Sequence, residues 1–437
     1  MPVPTVLPHP QAPHTLDEAG LSLDLVIQLA LKSLHFAGEL VGATWAARLG
    51  LPFSVIEPAV DHLKAQRHCE IVGGALVGGA SFRYRITDAG RTRALLFLQH
   101  SQYVGVAPVP IAHYQDYMVR HRTHAPRGAS RDQIRRAFSK LVLNDRVLDQ
   151  IGPAVNAGHS LFVYGPPGNG KSVISQQIRE LLEGDIAVPH ALEVEGQVVR
   201  LFDPVVHDEL FEDDEDAGGL DAGRGPDRRW VRCRRPLVTV GGELTLEALE
   251  LTASPGSGYY RAPVQALANG GLLVIDDFGR QRCSPAELLN RWIGPLETRV
   301  DYLVLGTGQR FEMPFSVLIA FATNLKPSDL VDEAFLRRIH FKVFAESPSV
   351  ADFRRIFEVY CRQCDLEFDE VLVEDLLQNY YHPRQIPLRG CHPRDLIDQT
   401  LALANYLGQP RRLTRELLHA ACASYFVDDR EPLTEYA

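Results

Sequence analysis

An α/β fold built on a parallel sheet, followed by helices and preceded by a smaller mixed domain, is what this sequence predicts. Three stretches carry the prediction. Leu161-Phe162-Val163-Tyr164 is an apolar strand that runs into a glycine-rich turn and then into a helical stretch, Val173 to Ile178. Gly270–Phe278 holds a second apolar strand that ends in two carboxylates, Asp276 and Asp277. Val317–Thr323 is a third, closed by Asn324. Strands this apolar suit a sheet covered on both faces, as parallel sheets are. Polar residues at their carboxyl ends lie where such sheets bind ligands. A length of 437 residues allows two or three domains.

Residues 1–15 are proline-rich, without periodicity and without Lys or Arg. They are expected to be a disordered leader that lacks the charge cluster of a signal peptide. A first domain is expected over 16–100. It opens with an apolar-periodic helix around Leu25–Leu31. A short helix over 44–49 follows, with Thr44 as N-cap, then a turn at Gly50-Leu51-Pro52. The next helix runs from Ser54 to about Gln66, with Val55, Ile56, Ala59, Val60 and Leu63 on one face. Cys69–Val72 and Phe82–Ile86 read as two strands around a glycine-rich loop, and Thr87 as the cap of a further helix. Helix, helix, turn, helix and a two-stranded wing is the order of a winged helix-turn-helix. Ala46–Leu51 with Tyr84–Arg91 resembles that family, which implies an α+β winged-helix domain docking on DNA or on protein. The second helix of the turn sets Glu57 and Asp61 against Lys64 and Arg67, whereas Arg83, Arg85, Arg91 and Arg93 make the wing basic. A dedicated DNA reader is usually more basic overall, so both partners stay open.

A linker is expected at 101–129, and Ser130 can cap the helix that opens a core spanning 130–346. The strongest motif of the chain lies there: Gly165-Pro166-Pro167-Gly168-Asn169-Gly170-Lys171-Ser172, with a strand before it and, from Val173, a helix after it. This is a P-loop in the context it requires. Its glycines let backbone N–H groups turn inward onto phosphate oxygens. Lys171 adds a point charge for the β- and γ-phosphates, and Ser172 a hydroxyl for Mg2+. Asp276, at the end of its strand, can hold Mg2+ through water, and Asp277 can orient or deprotonate an attacking water. ATP and Mg2+ are the expected cofactors.

Two later motifs are Asp332-Glu333-Ala334-Phe335-Leu336-Arg337-Arg338-Ile339 and Gly390-Cys391-His392-Pro393-Arg394-Asp395-Leu396. With the P-loop, the Asp276 strand and Asn324, in this order over about residues 130–430, they resemble an AAA+ ATPase. The likeness is closer to MoxR-like and chaperone-type bacterial ATPases than to a DNA helicase. It implies an α/β P-loop core, a C-terminal helical lid at 347–437 and ATP hydrolysis. It implies Asn324 as the residue that helps place the water, Arg337 or Arg338 as an arginine finger reaching a neighbouring subunit, and Arg394 as the lid arginine on the γ-phosphate. A site completed in trans implies a ring, with a hexamer expected, that remodels a protein partner. The family usually has Glu where this chain has Asp277. That departure leaves two alternatives: a DNA-directed switch of initiator, loader or transposition-helper type, and a non-hydrolysing ATP-gated scaffold.

Roughly 100 residues separate Lys171 from Asp276, where one helix-and-strand passage needs only ~30. An insert is therefore expected at about 184–260. It holds a candidate strand pair, Gln197–Phe202 with Pro236–Val240, an acidic run, Asp208–Asp216, expected to be a solvated loop, and a basic cluster of Arg228, Arg229, Arg232, Arg234 and Arg235. By the same resemblance, Tyr259 and Tyr260 either grip a polypeptide at a ring's pore or pack the insert against the core. Cys361 and Cys364 have the spacing of half a zinc site, with Cys391 and His392 as distant partners. They lie on an apolar helical face, where packing is the ordinary use of cysteine.

Composition bounds these readings. A hydrophobic fraction of 45% and a charged fraction of 23% exclude a disordered chain, a coiled-coil rod or a fibre. No apolar run approaches the ~20 residues needed to cross a bilayer, so no membrane association is expected. A net charge of -10 argues against a nucleic-acid coat, and 7 scattered cysteines argue for a reducing, cytoplasmic setting.

Overall fold

The computed structural model describes residues 7–74, 78–124, 128–211, 225–253, 256–330 and 333–426. The first six residues of the expected leader, residues 212–216 of the expected acidic loop, Asp332 and the tail from 427 lie outside them. The chain divides into two units. One comprises 1–127, 182–275 and 280–319, and the other 128–181, 276–279 and 320–437.

In the first unit, Leu23–Ala37 is a helix because Ser22 caps it, accepting from the Leu25 N–H, and Gly38 (φ 75°) ends it. Its buried face carries Val26, Leu29, Ala30 and Leu34. Burial of each such leucine contributes about 1.5–3 kcal/mol. Trp45 is fully buried on the next helix and donates from Nε1 to the Ala30 carbonyl at 3.0 Å. That helix runs Gly42–Leu49, with Val41 and not Thr44 at its N-cap position and no side-chain cap bond. A strand, Glu39–Val41, feeds directly into it. Gly42 permits the junction, since a Cβ there would lie 2.5 Å from the Gly79 carbonyl oxygen. Phe53–Ala65 follows, then strands Cys69–Gly74 and Phe82–Ile86, and a helix Asp88–His100 that Thr87 caps by accepting from the Gly90 N–H at 3.0 Å. The three strands pair antiparallel with Phe82–Ile86 in the middle.

Three expectations about this unit change. Residues 7–13 are not a loose leader: the Ala12 N–H donates to the Gly225 carbonyl at 2.9 Å, and the Asp227 N–H to the Pro10 carbonyl at 2.7 Å. Within the expected linker, Val109–Pro110 pairs parallel with Leu192–Glu193, and Ile111–His124 is a helix. Tyr114, Tyr117 and Met118 of that helix are buried, and the Tyr117 hydroxyl accepts from the Ala187 N–H at 2.8 Å. The expected insert strands both exist but do not pair with each other. Gln197–Arg200 pairs antiparallel with Ala191–Val194, and Leu237–Val240 pairs parallel with Leu272–Ile275. Asp185–Pro189 pairs with Trp230–Arg234 in a separate ribbon.

The central sheet is parallel. Its strands are β1 Leu161–Tyr164, β2 Leu237–Val240, β3 Leu272–Ile275, β4 Leu318–Thr323 and β5 Phe341–Phe344, in the order β2-β3-β4-β1-β5. All residues of β3 and β4 are buried, as covered parallel strands require. In the second unit, β1 lies between β4 and β5, with Leu161 opposite both Ala320 and Phe341. The C-terminal residues form helices Val350–Gln363, Glu370–Leu376, His392–Tyr406 and Arg415–Tyr425 around a core of Phe353, Phe357, Cys361, Leu396 and Leu418. Among the described residues, no helix is long and apolar enough to cross a membrane.

Candidate functional site

The ends of β1 and β4, the residues after β3 and the C-terminal helices bring side chains of the second unit together around one cleft of about 480 Å³. Its glycine-rich floor runs from Pro167 to Gly170 into the helix Lys171–Gln177. Gly168 takes a positive φ of 79°, and a Cβ there would come within 2.7 Å of Cys391 Sγ. Only glycine fits that turn without displacing the neighbouring segment. The loop is clasped at this point: the Cys391 N–H donates to the Gly168 carbonyl at 2.8 Å, and the Gly390 N–H to Asn169 Oδ1 at 3.3 Å. Asn169 Nδ2 in turn donates to the Ala345 carbonyl at 3.3 Å. Pro166 lends its carbonyl to Lys171 Nζ at 2.9 Å, and Gly165 donates its N–H to the Thr323 carbonyl at 3.3 Å. Val173 is exposed and lines the cleft.

Lys171 is only 7% exposed. Burial lowers its pKa, an effect opposed by the carboxylates of Asp277 and Asp276 and reinforced by Arg389. Next to it, Ser172 Oγ donates to Asp276 Oδ1 at 2.8 Å, and the same oxygen accepts the Asp277 N–H at 3.0 Å. Asp277 takes a φ of 46°, in the left-handed region that Asp tolerates better than most residues. Two bonds hold the turn around it: the Phe278 N–H donates to the Ala322 carbonyl at 2.7 Å, and Thr323 Oγ1 to the Phe278 carbonyl at 2.8 Å. Asn324 Nδ2 then reaches Asp277 Oδ1 at 3.4 Å. The other amide atom, Asn324 Oδ1, is buried with no hydrogen-bond partner among the described residues. A buried acceptor without a partner is costly, and here it sits at the cleft.

The remaining predicted residues divide. Arg394, in the first turn of His392–Tyr406, lines the cleft with Lys171, Asp276, Asp277 and Asn324. Arg337 is exposed and paired with Glu333 at 2.9 Å, and neither it nor Arg338 lines the cleft. Leu141, Val142, Leu143, Ile174, Ile356, Val359, Tyr360 and Gln363 form a largely apolar wall that sequence reasoning did not anticipate. The signal was partly present: Ile356, Val359, Tyr360 and Gln363 share one face of a helix at i, i+3, i+4 and i+7 spacing.

Elsewhere, several charged groups are paired within the fold. Arg83 and Arg85 both bond Glu39, at 3.1 and 3.0 Å, and hold its carboxyl below the usual range. Arg229 is 3% exposed, forks onto Asp227 and donates to the Ala19 carbonyl at 2.9 Å. Arg232 pairs with Asp185, and Arg235 donates to the Gly270 carbonyl at 2.9 Å. Tyr259 packs edge-on against Tyr103, with ring centroids 5.8 Å apart, and the Tyr260 hydroxyl accepts from the Gly306 N–H at 2.8 Å. Cys361 is buried in the helical core, and His392 Nδ1 lies 3.0 Å from the Tyr381 hydroxyl. Burial pulls His392 down to a pKa of about 4. Among the described residues no group of three or more His, Cys, Asp or Glu could hold a metal ion. A second cleft, of about 500 Å³, lies in the first unit beside Pro10, Tyr117 and Trp230. Its buried charges, Asp227 and Arg229, are already paired with each other.

The fold and site define an α/β protein with a glycine loop, a lysine, a hydroxyl and a carboxylate at the end of a parallel sheet. A family model described as Domain of unknown function (DUF8689) matches residues 349–424. A vesicle-fusing ATPase of Dictyostelium discoideum is 41% identical over 54 residues, which are 12% of this chain and 7% of that protein's length. NtrX from Brucella abortus aligns at 15% identity and a TM-score of 0.39, over 72% of this chain and 58% of that one. The same protein in complex with ADP gives 16% identity and a TM-score of 0.40, over 80% and 68%. RuvB of Thermotoga maritima, a Holliday junction branch migration motor, gives 12% and 0.34, over 70% and 74%.

Proposed function

We propose that this protein binds and hydrolyses ATP as an AAA+ type ATPase, works as a ring, and remodels a protein partner. One observation carries the reading: Lys171, Ser172, Asp276, Asp277 and Asn324 meet at a single cleft that also has an apolar wall. The residues fit a magnesium nucleotide. The Ser172 hydroxyl and Asp276 carboxylate are the hard oxygen donors that Mg2+ takes. The turn at Gly168 leaves backbone N–H groups free of a Cβ, and Leu141, Ile356 and Tyr360 offer a wall for a base. Bound Mg2+ would neutralise charge on the phosphates.

The chain's own residues do the rest. Lys171 exchanges the Pro166 carbonyl for a phosphate oxygen, and its burial strengthens that contact. Asp277 orients the attacking water and takes up its proton. Asn324 fixes the Asp277 carboxylate through Nδ2. Arg394 approaches the terminal phosphate within the subunit, whereas Arg337 and Arg338 are the arginines for a neighbouring one, in a ring for which a hexamer is expected. A protein partner is favoured over DNA because Glu39 offsets one of the two wing charges of Arg83 and Arg85. Cytoplasmic residence belongs to the same proposal.

Steady-state hydrolysis at rising protein concentration, alone and with double-stranded DNA, beside Lys171→Ala, tests this. The expected rate per subunit climbs with concentration, ignores DNA and vanishes in the variant. Stimulation by DNA would move the partner to nucleic acid. A rate at the variant's background throughout would leave an ATP-gated scaffold.

A further inference from the structure

Arg394, Asp395 and Tyr425 form a chain of contacts that the hydrolysis scheme leaves unused. Arg394 Nε and Nη2 both donate to Asp395 Oδ1, at 3.0 and 2.9 Å. The carboxylate's other oxygen accepts from the Tyr425 hydroxyl at 2.9 Å. Tyr425 is the last residue of the helix Arg415–Tyr425, whereas the arginine and the aspartate open the helix His392–Tyr406. Adjacent residues on a helix do not face each other, so the Arg394–Asp395 pair is not a product of helix geometry alone. The side chain of Asp395 is 22% exposed and that of Arg394 57%. The aspartate is the anchored member, and Tyr425 supplies a fixed contact to it from another element.

A guanidinium carries five N–H donors in a rigid fork, so the donors not committed to Asp395 remain for a ligand in the cleft. An arginine side chain has ~2 kcal/mol of rotamer entropy to lose on ordering, and holding it beforehand removes part of that cost from binding.

We propose that Asp395 and Tyr425 are positioning residues: they set Arg394 for the terminal phosphate of a nucleoside triphosphate, so that triphosphate recognition depends on docking of the last helix. The inference rests on the reading of the cleft as a nucleotide site with Arg394 at the γ-phosphate. The pair acts on the difference between triphosphate and diphosphate, since only the former presents the group that Arg394 meets.

The test is calorimetric titration of ATP and of ADP into the full chain, as wild type, Tyr425→Phe, Arg394→Ala and the double variant, with Tm recorded for each. Tyr425→Phe should lower the preference for ATP over ADP roughly fivefold to tenfold, the order of one ordinary net hydrogen bond, with ADP affinity within about twofold. Arg394→Ala should lower it at least as far, and the double variant should match Arg394→Ala alone, because residues acting through one another do not add. A merely structural tyrosine would weaken both nucleotides together or lower Tm without changing their ratio. If Tyr425→Phe is too unstable to titrate, Asp395→Asn carries the same expectation. An unchanged ratio in Tyr425→Phe, or effects that multiply in the double variant, would overturn the proposal. An unchanged ratio in Arg394→Ala would overturn it too, with the fault in the role given to Arg394. Lys171→Ala, titrated beside them, separates the two faults: ATP binding that survives it would put the fault in the nucleotide site itself.

Discussion

Lys32 and Lys171 are both buried helical lysines, 2% and 7% exposed, and they show two uses of the same side chain. Lys32 lies in the core of the first unit and donates to the Ser101 carbonyl at 3.1 Å. Burial alone brings its pKa down to about 8. Lys171 is pulled down by burial too, but Asp277 and Asp276 oppose the shift. One charge is only disfavoured by its surroundings, and the other is also supported by carboxylates lining a cleft. The same two uses of polar groups recur elsewhere in the chain. In the first, Arg229 is closed on Asp227, and Arg83 and Arg85 on Glu39. In the second, Asn324 keeps a buried oxygen without a partner. Function is sought where polar groups converge and remain incompletely satisfied.

The largest effect that would sharpen this contrast lies at Asp277. Asp277→Asn keeps the shape beside Asn324 but cannot take up a proton, so phosphate release should fall by about 10²–10⁴-fold with ATP still bound. Next is the closed pair of the first unit. Asp227→Ala leaves the Arg229 charge buried and uncompensated, and denaturant unfolding should show a loss of about 3–5 kcal/mol. A loss near zero would mean that this charge is not closed in the way described. Lys32→Met should go the other way and stabilise by about 2 kcal/mol at pH 7, the burial cost less one hydrogen bond. In the wild type the unfolded lysine binds a proton more readily than the folded one. Stability should therefore rise as pH climbs from about 8 toward the ordinary value of 10.5, and that slope should flatten in Lys32→Met. The smallest effect is expected at Arg83 and Arg85. Replacing both with Gln should change affinity for double-stranded DNA less than about twofold, and a collapse of salt-dependent binding would break the preference for a protein partner.

The local parts of this account were legible in the sequence. The glycine loop, Lys171 and Ser172 are contiguous, and Asp276 follows an apolar run that only a covered strand explains. Thr87 caps its helix as expected, because an N-cap acts over three residues. What escaped was non-local. Nothing in Leu237–Val240 says that it pairs with Leu272–Ile275 rather than with Gln197–Arg200, since β-pattern fixes a strand and not its partner. Tyr114, Tyr117, Met118 and His121 do recur at helical spacing, but the prolines around them made the segment read as a linker. Leu141–Leu143 and Tyr360 meet across the cleft from more than two hundred positions apart, roughly the case in which sequence spacing carries no signal.

The most direct test of the central claim is titration of magnesium ATP into three full-length chains: wild type, Lys171→Met and Lys32→Met. One site per chain in the wild type and in Lys32→Met, with affinity lost by roughly a hundredfold or more in Lys171→Met, is the predicted result. Equal ATP binding by wild type and Lys171→Met would contradict it, and the cleft at the end of the parallel sheet would no longer be a nucleotide site.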